Sequence, residues 1–414
     1  MNGYSILPQG VKDFGPEKAE DLRRVEDGLL EEFSRWGYKR VITPLFEYVD
    51  SICVGLGNDL KNKLMKFVDP STGEIVALRP DITPQIGRIV ATQLKDYNYP
   101  LRLCYCGRVV RFEEKGSGKE REVFQSGCEL IGLKSEEADA EIVALSIKSL
   151  NKLGLKNLIL DLGHTGILKL IFENAGEMKN DLIIALKKKD QEQLKNIIGK
   201  TKIDKEIKKV VLSLSEYYGD QSVLEKAKKI RQFRPYVNEI EKIISILEEY
   251  QVDCKISIDL VDIKGFNYYT GINFEIISEN APSSLLTGGR YDGLVAAYGY
   301  DTPATGFAID AEAILALTRN HIEDNQVHFI VIPKTLKYRK EAIKLTEWLR
   351  SSGFKVILDL NKSFANGVAT NGSRSLTSYG VIILESSSKI NLIESRSGVR
   401  REFSNLEELL KGGI

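Results

Sequence analysis

Two stretches of alternating character, Leu101 to Glu113 and Arg121 to Leu133, are separated only by Glu114-Lys115-Gly116-Ser117-Gly118-Lys119-Glu120. The flanks read as strands, and the charged, glycine-rich connector reads as a solvated, mobile loop. The segment is therefore a long antiparallel hairpin, and the fold has to supply a sheet that accepts it. Strand residues alternate between faces, so Gln125, Gly127, Glu129 and Ile131 share one face. Phe124, Ser126, Cys128 and Leu130 take the other. If the first face is covered, an ionised Glu129 requires a partner there. That partner is either a structural cation or a ligand amine or imidazole N–H.

The 414 residues suffice for two or three domains and a sizeable core. Lys+Arg and Asp+Glu are both 58, so the formal charge is zero. That counts against a non-specific nucleic-acid binder, although it leaves room for a local basic patch. The apolar fraction of 43% is ordinary for a globular chain. No apolar run of about 18 residues suggests a membrane span, and Met1-Asn2-Gly3-Tyr4-Ser5 lacks the basic-then-apolar pattern of a signal peptide. Five cysteines with no framework spacing imply free thiols in a reducing compartment. Cys104 and Cys106 alternate onto one strand face, but a metal site needs more ligands, and only His164, His321 and His328 are available as histidines. The cysteines read as small buried hydrophobes. No metal or other cofactor is expected.

Elsewhere, Pro16 to Gly37 reads as an amphipathic helix, with Leu22, Val25, Leu29, Phe33 and Trp36 at three- and four-residue steps. Tyr38 to Glu47 reads as a strand broken at Pro44, which argues for a sheet edge or an interface. Glu74 to Arg79 is a short strand closed by Pro80-Asp81-Ile82-Thr83-Pro84, with a helix from Gln85 to Leu94. At this junction Asp81 and Thr83 either face a pocket or cap the helix. Ser135 caps a helix running to about Ser149. His164 ends a strand and is read as structural. Residues 166–250 are lysine- and glutamate-rich with helical periodicity, a helical insertion of four or five helices. Lys255 to Val261 returns to a strand. The strand Thr302 to Asp310 leads into a helix from Ala311 to Arg319. A polar linker, Asn320 to Gln326, precedes a βαβ-like unit over 327–414, with a further strand from Gly380 to Glu385 and a last helix from Leu406 to Lys411.

Between the insertion and the last strand of the core lies Lys264-Gly265-Phe266-Asn267-Tyr268-Tyr269-Thr270-Gly271. It sets three rings and a cation around two turn glycines. Such a wall holds a small planar ligand by stacking, or simply packs a hairpin. Gly288-Gly289-Arg290-Tyr291-Asp292 reads as a glycine turn that permits close backbone approach.

Taken together these segments resemble the class II aminoacyl-tRNA synthetase core, in its histidyl branch, over roughly residues 7 to 320. The anchors are Thr43-Pro44-Leu45-Phe46-Glu47, Leu78-Arg79-Pro80-Asp81-Ile82-Thr83, Gly107-Arg108-Val109-Val110-Arg111-Phe112-Glu113, Phe124-Gln125-Ser126-Gly127-Cys128-Glu129 and the tyrosine stretch. The resemblance implies an α+β fold: a class II synthetase-like antiparallel sheet flanked by helices. It also implies a core over 1–320 and a smaller C-terminal α/β domain over 327–414 that looks like an anticodon-binding domain. The resemblance implies that Asp81 and Gln125, with Thr83 near them, would hold an α-amino group. Glu129 and Tyr269, with Tyr268 beside it, would hold an imidazole, and Lys264 would meet the carboxylate.

The departures concern phosphate. An adenylating synthetase needs cations on the triphosphate. Arg111 persists, but the arginine of the branch's Arg-Gly-Leu-Asp-Tyr-Tyr motif is Lys264 here, a point charge without the bidentate fork. A second arginine of the branch is replaced by Ala313. A pocket with amino-acid ligands and no phosphate clamp binds histidine without activating it. This pattern, with Arg79 to Gln85 and Cys104 to Val109, looks like the regulatory subunits of short-form ATP phosphoribosyltransferases. That resemblance implies no catalysis, a cytoplasmic location, a self-dimer, and assembly with the short catalytic chain. It also implies a requirement for the first step of histidine biosynthesis and feedback inhibition by histidine as effector. The histidine pocket would comprise Asp81, Thr83, Arg111, Gln125, Glu129, Lys264, Tyr268 and Tyr269, with no tRNA partner. The alternatives are an active histidyl-tRNA synthetase and a histidine-sensing synthetase paralogue.

Overall fold

The hairpin is the spine of the structure. Leu101–Val110 and Glu122–Ile131 pair antiparallel in unbroken register, Leu101 opposite Ile131 and Val110 opposite Glu122. The computed structural model describes residues 7–112, 120–173, 178–188, 191–200, 205–213, 217–263, 268–279, 281, 283–318, 328–359, 379–386, 389–394, 399–405 and 407–409. The Gly116 to Gly118 connector, the 320–326 linker and Lys264-Gly265-Phe266-Asn267 lie outside them. The chain divides into two compact units, Met1–His321 and Ile322–Ile414.

In the first unit nine strands form one mixed sheet. Its order is Lys39–Arg40, Leu101–Val110, Glu122–Ile131, Ala304–Asp310, Leu286–Arg290, Ile272–Ser278, Leu158–His164, Lys255–Asp259 and Tyr218–Gly219. Most neighbours are antiparallel. Lys39–Arg40 runs parallel to the hairpin, and Leu158–His164 runs parallel to Lys255–Asp259. Parallel neighbours need a long crossover, and the lysine- and glutamate-rich insertion is that crossover. It holds six α-helices among the described residues, between Thr165–Glu173 and Arg234–Glu249. It is not wholly helical: Tyr218–Gly219 comes back to pair at the sheet edge, too short a strand for periodicity to show.

One face of the sheet carries helices. Pro16–Arg35 buries Leu22, Val25, Leu29 and Phe33, the face its spacing predicts, and stops where Gly37 takes φ +82°, a left-handed value. Glu136–Lys152 is capped by the Ser135 hydroxyl, which accepts from the Ala138 N–H at 3.3 Å. Phe33 meets Phe307 edge-on at 5.8 Å. On the opposite face Leu103, Tyr105, Val109, Ile131 and Ala304 pack with Ile82, Ile86 and Val90 of the junction helix and with Tyr291, Leu294 and Val295. This second face holds the candidate site.

Two expected elements differ. The stretch from Tyr38 to Glu47 splits between two sheets: Lys39–Arg40 joins the large one, and Phe46–Tyr48 pairs with Ile75–Leu78 in a three-stranded sheet completed by Lys66–Val68. Gly288 and Gly289 form no turn; they sit inside the strand Leu286–Arg290. Their missing side chains admit the Phe274 ring over Gly288 and the Tyr269 ring over Gly289.

The second unit contains a five-stranded sheet ordered Lys355–Leu358, His328–Pro333, Tyr379–Ser386, Lys389–Glu394 and Arg400–Phe403. The first three strands are parallel, with helix Arg339–Ser351 packed on one face. The last two are antiparallel additions that the sequence reading lacked. Only Glu407 to Leu409 of the expected last helix is described, and it is helical.

Candidate functional site

Two glycines on adjacent strands make room for the buried polar side chains of the site. Gly127 lies opposite Tyr105 in the hairpin, and Gly306 lies opposite Glu129 across the next ladder. A Cβ on Gly127 would collide with the Tyr105 hydroxyl, and one on Gly306 with the Glu129 carboxylate. Without those methyls both side chains lie across the sheet surface, each 1% exposed.

Glu129 has no cation against it among the described residues. One oxygen, Oε2, accepts a short hydrogen bond from the Tyr291 hydroxyl. The other, Oε1, is buried without a hydrogen-bond partner among them. Burial pushes the carboxyl up to about 8, with the nearby Asp81 charge adding to the rise and the Tyr291, Thr83 and Tyr105 hydroxyls opposing it. The Tyr268 hydroxyl is likewise buried with no partner. An unfilled acceptor and an unfilled hydroxyl on one wall cost free energy unless a ligand supplies the missing bonds.

The junction after Ile75–Leu78 contributes the next group. Asp81 Oδ1 accepts from Gln125 Nε2 at 3.1 Å and from the Thr83 N–H at 3.3 Å, so it both faces the site and holds the start of helix Thr83–Ile89. Gln125 Oε1 accepts from the Ile82 N–H at 3.1 Å. The Thr83 and Tyr105 hydroxyls are 3.1 Å apart. Arg111 Nε donates to the Pro80 carbonyl at 2.8 Å, and its positive charge acts on Asp310, opposing the rise that burial gives that carboxyl. Carboxylate, amide and hydroxyl oxygens together suit an ammonium group.

Tyr268 stacks on Tyr291 with centroids 5.2 Å apart, and Tyr269 meets Tyr268 edge-on at 5.2 Å. Of the eight predicted site residues, Asp81, Thr83, Gln125, Glu129, Tyr268 and Tyr269 lie together on this face, and Arg111 joins them through the Pro80 carbonyl. Lys264 lies outside the described residues. Between the two tyrosines, Tyr268 is the one stacked on the ring that binds Glu129. Sequence reasoning missed Tyr105, Tyr291 and Gly306, whose roles come from cross-strand register, and Lys169, whose ammonium donates to the Tyr269 carbonyl at 3.1 Å.

Several charged motif residues are structural. Arg79, 8% exposed, donates to the Arg108 and Thr43 carbonyls at 2.7 and 2.9 Å. Arg290 is buried against Asp139, at 2.9 Å, and also bonds Asp292 and the Leu133 carbonyl. His164 accepts from the Gly166 N–H at 2.9 Å and packs on Tyr236, with Glu239 3.3 Å away.

At the Gln125 end of the site, Asp310 lies opposite Gln125 in the ladder and caps the helix Ala311–Thr318 through the Glu312 and Ala313 N–H groups. Ala313 presents only a methyl there. The neighbouring cation, Lys12, is tied to Glu312 and Glu120. Its burial would lower its pKa, but the two carboxylates outweigh that and raise it. This end carries Asp310, Glu312 and Glu120, a lysine tied to the last two, and the positive charge of Arg111 acting on Asp310, with no second arginine at position 313.

A family model described as histidyl-tRNA synthetase matches residues 10–314. An ATP phosphoribosyltransferase regulatory subunit of Geobacter sulfurreducens is 38% identical over 86% of this chain and 83% of its own. One of Syntrophotalea carbinolica is 32% identical over 99% of this chain and 97% of its own. A crystal structure from Bacillus halodurans C, of an ATP phosphoribosyltransferase regulatory subunit/histidyl-tRNA synthetase, superposes with TM-score 0.77 at 29% identity, covering 87% of this chain and 94% of that one. Histidyl-tRNA synthetase from Nostoc sp. PCC 7120 shares the fold, with TM-score 0.78 at 21% identity over 97% of each chain. The fold is therefore that of the class II synthetases, and the chain belongs to the histidyl-tRNA synthetase family, among its ATP phosphoribosyltransferase regulatory subunits.

Proposed function

We propose that this chain does no chemistry of its own. It serves histidine biosynthesis by assembling with a short ATP phosphoribosyltransferase catalytic chain, activating it and conferring inhibition by histidine. One observation supports the reading: Asp81, Gln125 and Glu129 present buried polar groups on one face, while the Gln125 end has Ala313 and a lysine already held by two acids. Histidine would bind there with its ammonium at Asp81, Thr83 and Gln125 and its ring N–H at Glu129 beside Tyr268 and Tyr269. Lys264 and Arg111 would meet the carboxylate. For histidine to regulate, it must bind the active and inhibited assemblies with different affinity.

The chain would act as a self-dimer in the cytoplasm, without tRNA. On one face the three-stranded sheet exposes Phe46, Tyr48 and Phe67, each at least 42% accessible, an apolar patch suited to a second copy. Five free cysteines fit a reducing compartment. The test is reconstitution with the catalytic chain. Phosphoribosyl transfer should rise on adding this protein and fall with histidine, and Glu129→Ala should remove the fall while complexes still form. Unchanged inhibition in that variant would refute the pocket assignment.

A further inference from the structure

Helix Thr165–Glu173, which opens the insertion, grips the tyrosine strip from behind. Thr165 gives both its N–H and its hydroxyl to the Gly271 carbonyl, at 3.0 and 2.9 Å. Lys169 lies one turn further along, on the same helix face. Its half-buried ammonium turns inward and donates to the Tyr269 carbonyl at 3.1 Å. That carbonyl and the Thr270 N–H belong to one peptide, and the N–H is itself held by the Arg290 carbonyl at 2.6 Å. Both poles of the peptide that follows the tyrosine pair are therefore fixed. Burial lowers the lysine's pKa, with Glu173 and Asp292 opposing, so its inward position is maintained at a cost.

We infer that Lys169 is a positioning residue for the pocket. It locks the Tyr269–Thr270 peptide and thereby sets the Tyr268 ring against Tyr291, whose hydroxyl binds Glu129. A neutral side chain there leaves the Tyr269 carbonyl without its charged donor and lets the strip rotate away from Glu129. The inference rests on the histidine-pocket reading, but it also predicts an effect on the strip without ligand.

The experiment uses the full chain carrying Lys169→Met or Lys169→Arg, with two readouts: histidine binding by calorimetry and amide hydrogen exchange over 268–271. Loss of a charged donor predicts about tenfold weaker binding in the methionine variant. The arginine variant, which keeps a cationic donor, should recover most of it. Exchange over 268–271 should accelerate with methionine and return with arginine. A general loss of stability would weaken both variants together and raise exchange across the whole sheet. Wild-type affinity in Lys169→Met, or failure of arginine to rescue, overturns the inference. If the wild-type chain binds no histidine, the pocket reading fails, and exchange alone decides: local acceleration upholds the positioning role and unchanged exchange overturns it. Should Lys169→Met not fold, Thr165→Val removes the neighbouring hydroxyl donor and should weaken binding in the same direction; wild-type binding in that variant overturns the inference.

Discussion

Replacing Glu129 by glutamine should flatten the protein's stability against pH. The native carboxyl titrates near 8 because it is buried, whereas its ordinary value is 4.5. The native state therefore holds this proton more tightly than the unfolded state does. Its contribution is fully present below pH 4.5 and is lost as pH rises towards 8. At about 1.4 kcal/mol per unit, the loss between pH 5 and pH 8 is about 3–4 kcal/mol. Glutamine has nearly the same shape and does not titrate. Its oxygen can accept from Tyr291, and its amide can reach the Thr83 or Tyr105 hydroxyl. Urea unfolding of both proteins at pH 5, 6, 7 and 8 measures the effect. The wild-type free energy should fall relative to Glu129→Gln by about 3–4 kcal/mol across that range. Parallel curves would refute the assignment of a buried, cation-free acid.

Three further perturbations follow from the packing. Gly306→Ala places a methyl where the Glu129 carboxylate and the Cys128 carbonyl lie; it should cost about 1–3 kcal/mol and abolish histidine binding, as urea unfolding and calorimetry would show. Arg290→Met strands the buried Asp139 and should cost about 3–5 kcal/mol, a loss that shrinks in an Asp139→Asn background. Phe46→Ser combined with Phe67→Ser breaks the pair packed 5.6 Å apart on the exposed three-stranded sheet; sedimentation should show a monomer at micromolar concentration, and an intact dimer would remove this face from the assembly.

The hairpin was legible because charge and glycine mark its turn and because a two-residue period assigns faces without knowledge of the fold. Hence Gln125, Gly127 and Glu129 were placed on one side correctly. The partners of those residues were not legible. Tyr291 reaches Glu129 from 162 positions away, and Gly306 matters only through its register with Glu129. Nothing local distinguishes either from a core tyrosine or a strand glycine. Gly288 and Gly289 illustrate the reverse error. A glycine pair commonly signals a turn, yet here the pair is extended, and its purpose is to admit the rings of Phe274 and Tyr269. Lys169 was one lysine in a lysine-rich insertion, and only the docking of its helix against Gly271 separates it from a solvated charge.

The central claim is a pocket that binds histidine and does not activate it. Histidine-dependent ATP–pyrophosphate exchange by the purified chain, with calorimetric histidine binding on the same sample, addresses it most directly. The account predicts saturable histidine binding with no exchange above background. Sustained exchange would contradict it, because Lys264 and Arg111 would then suffice to clamp a triphosphate despite Ala313.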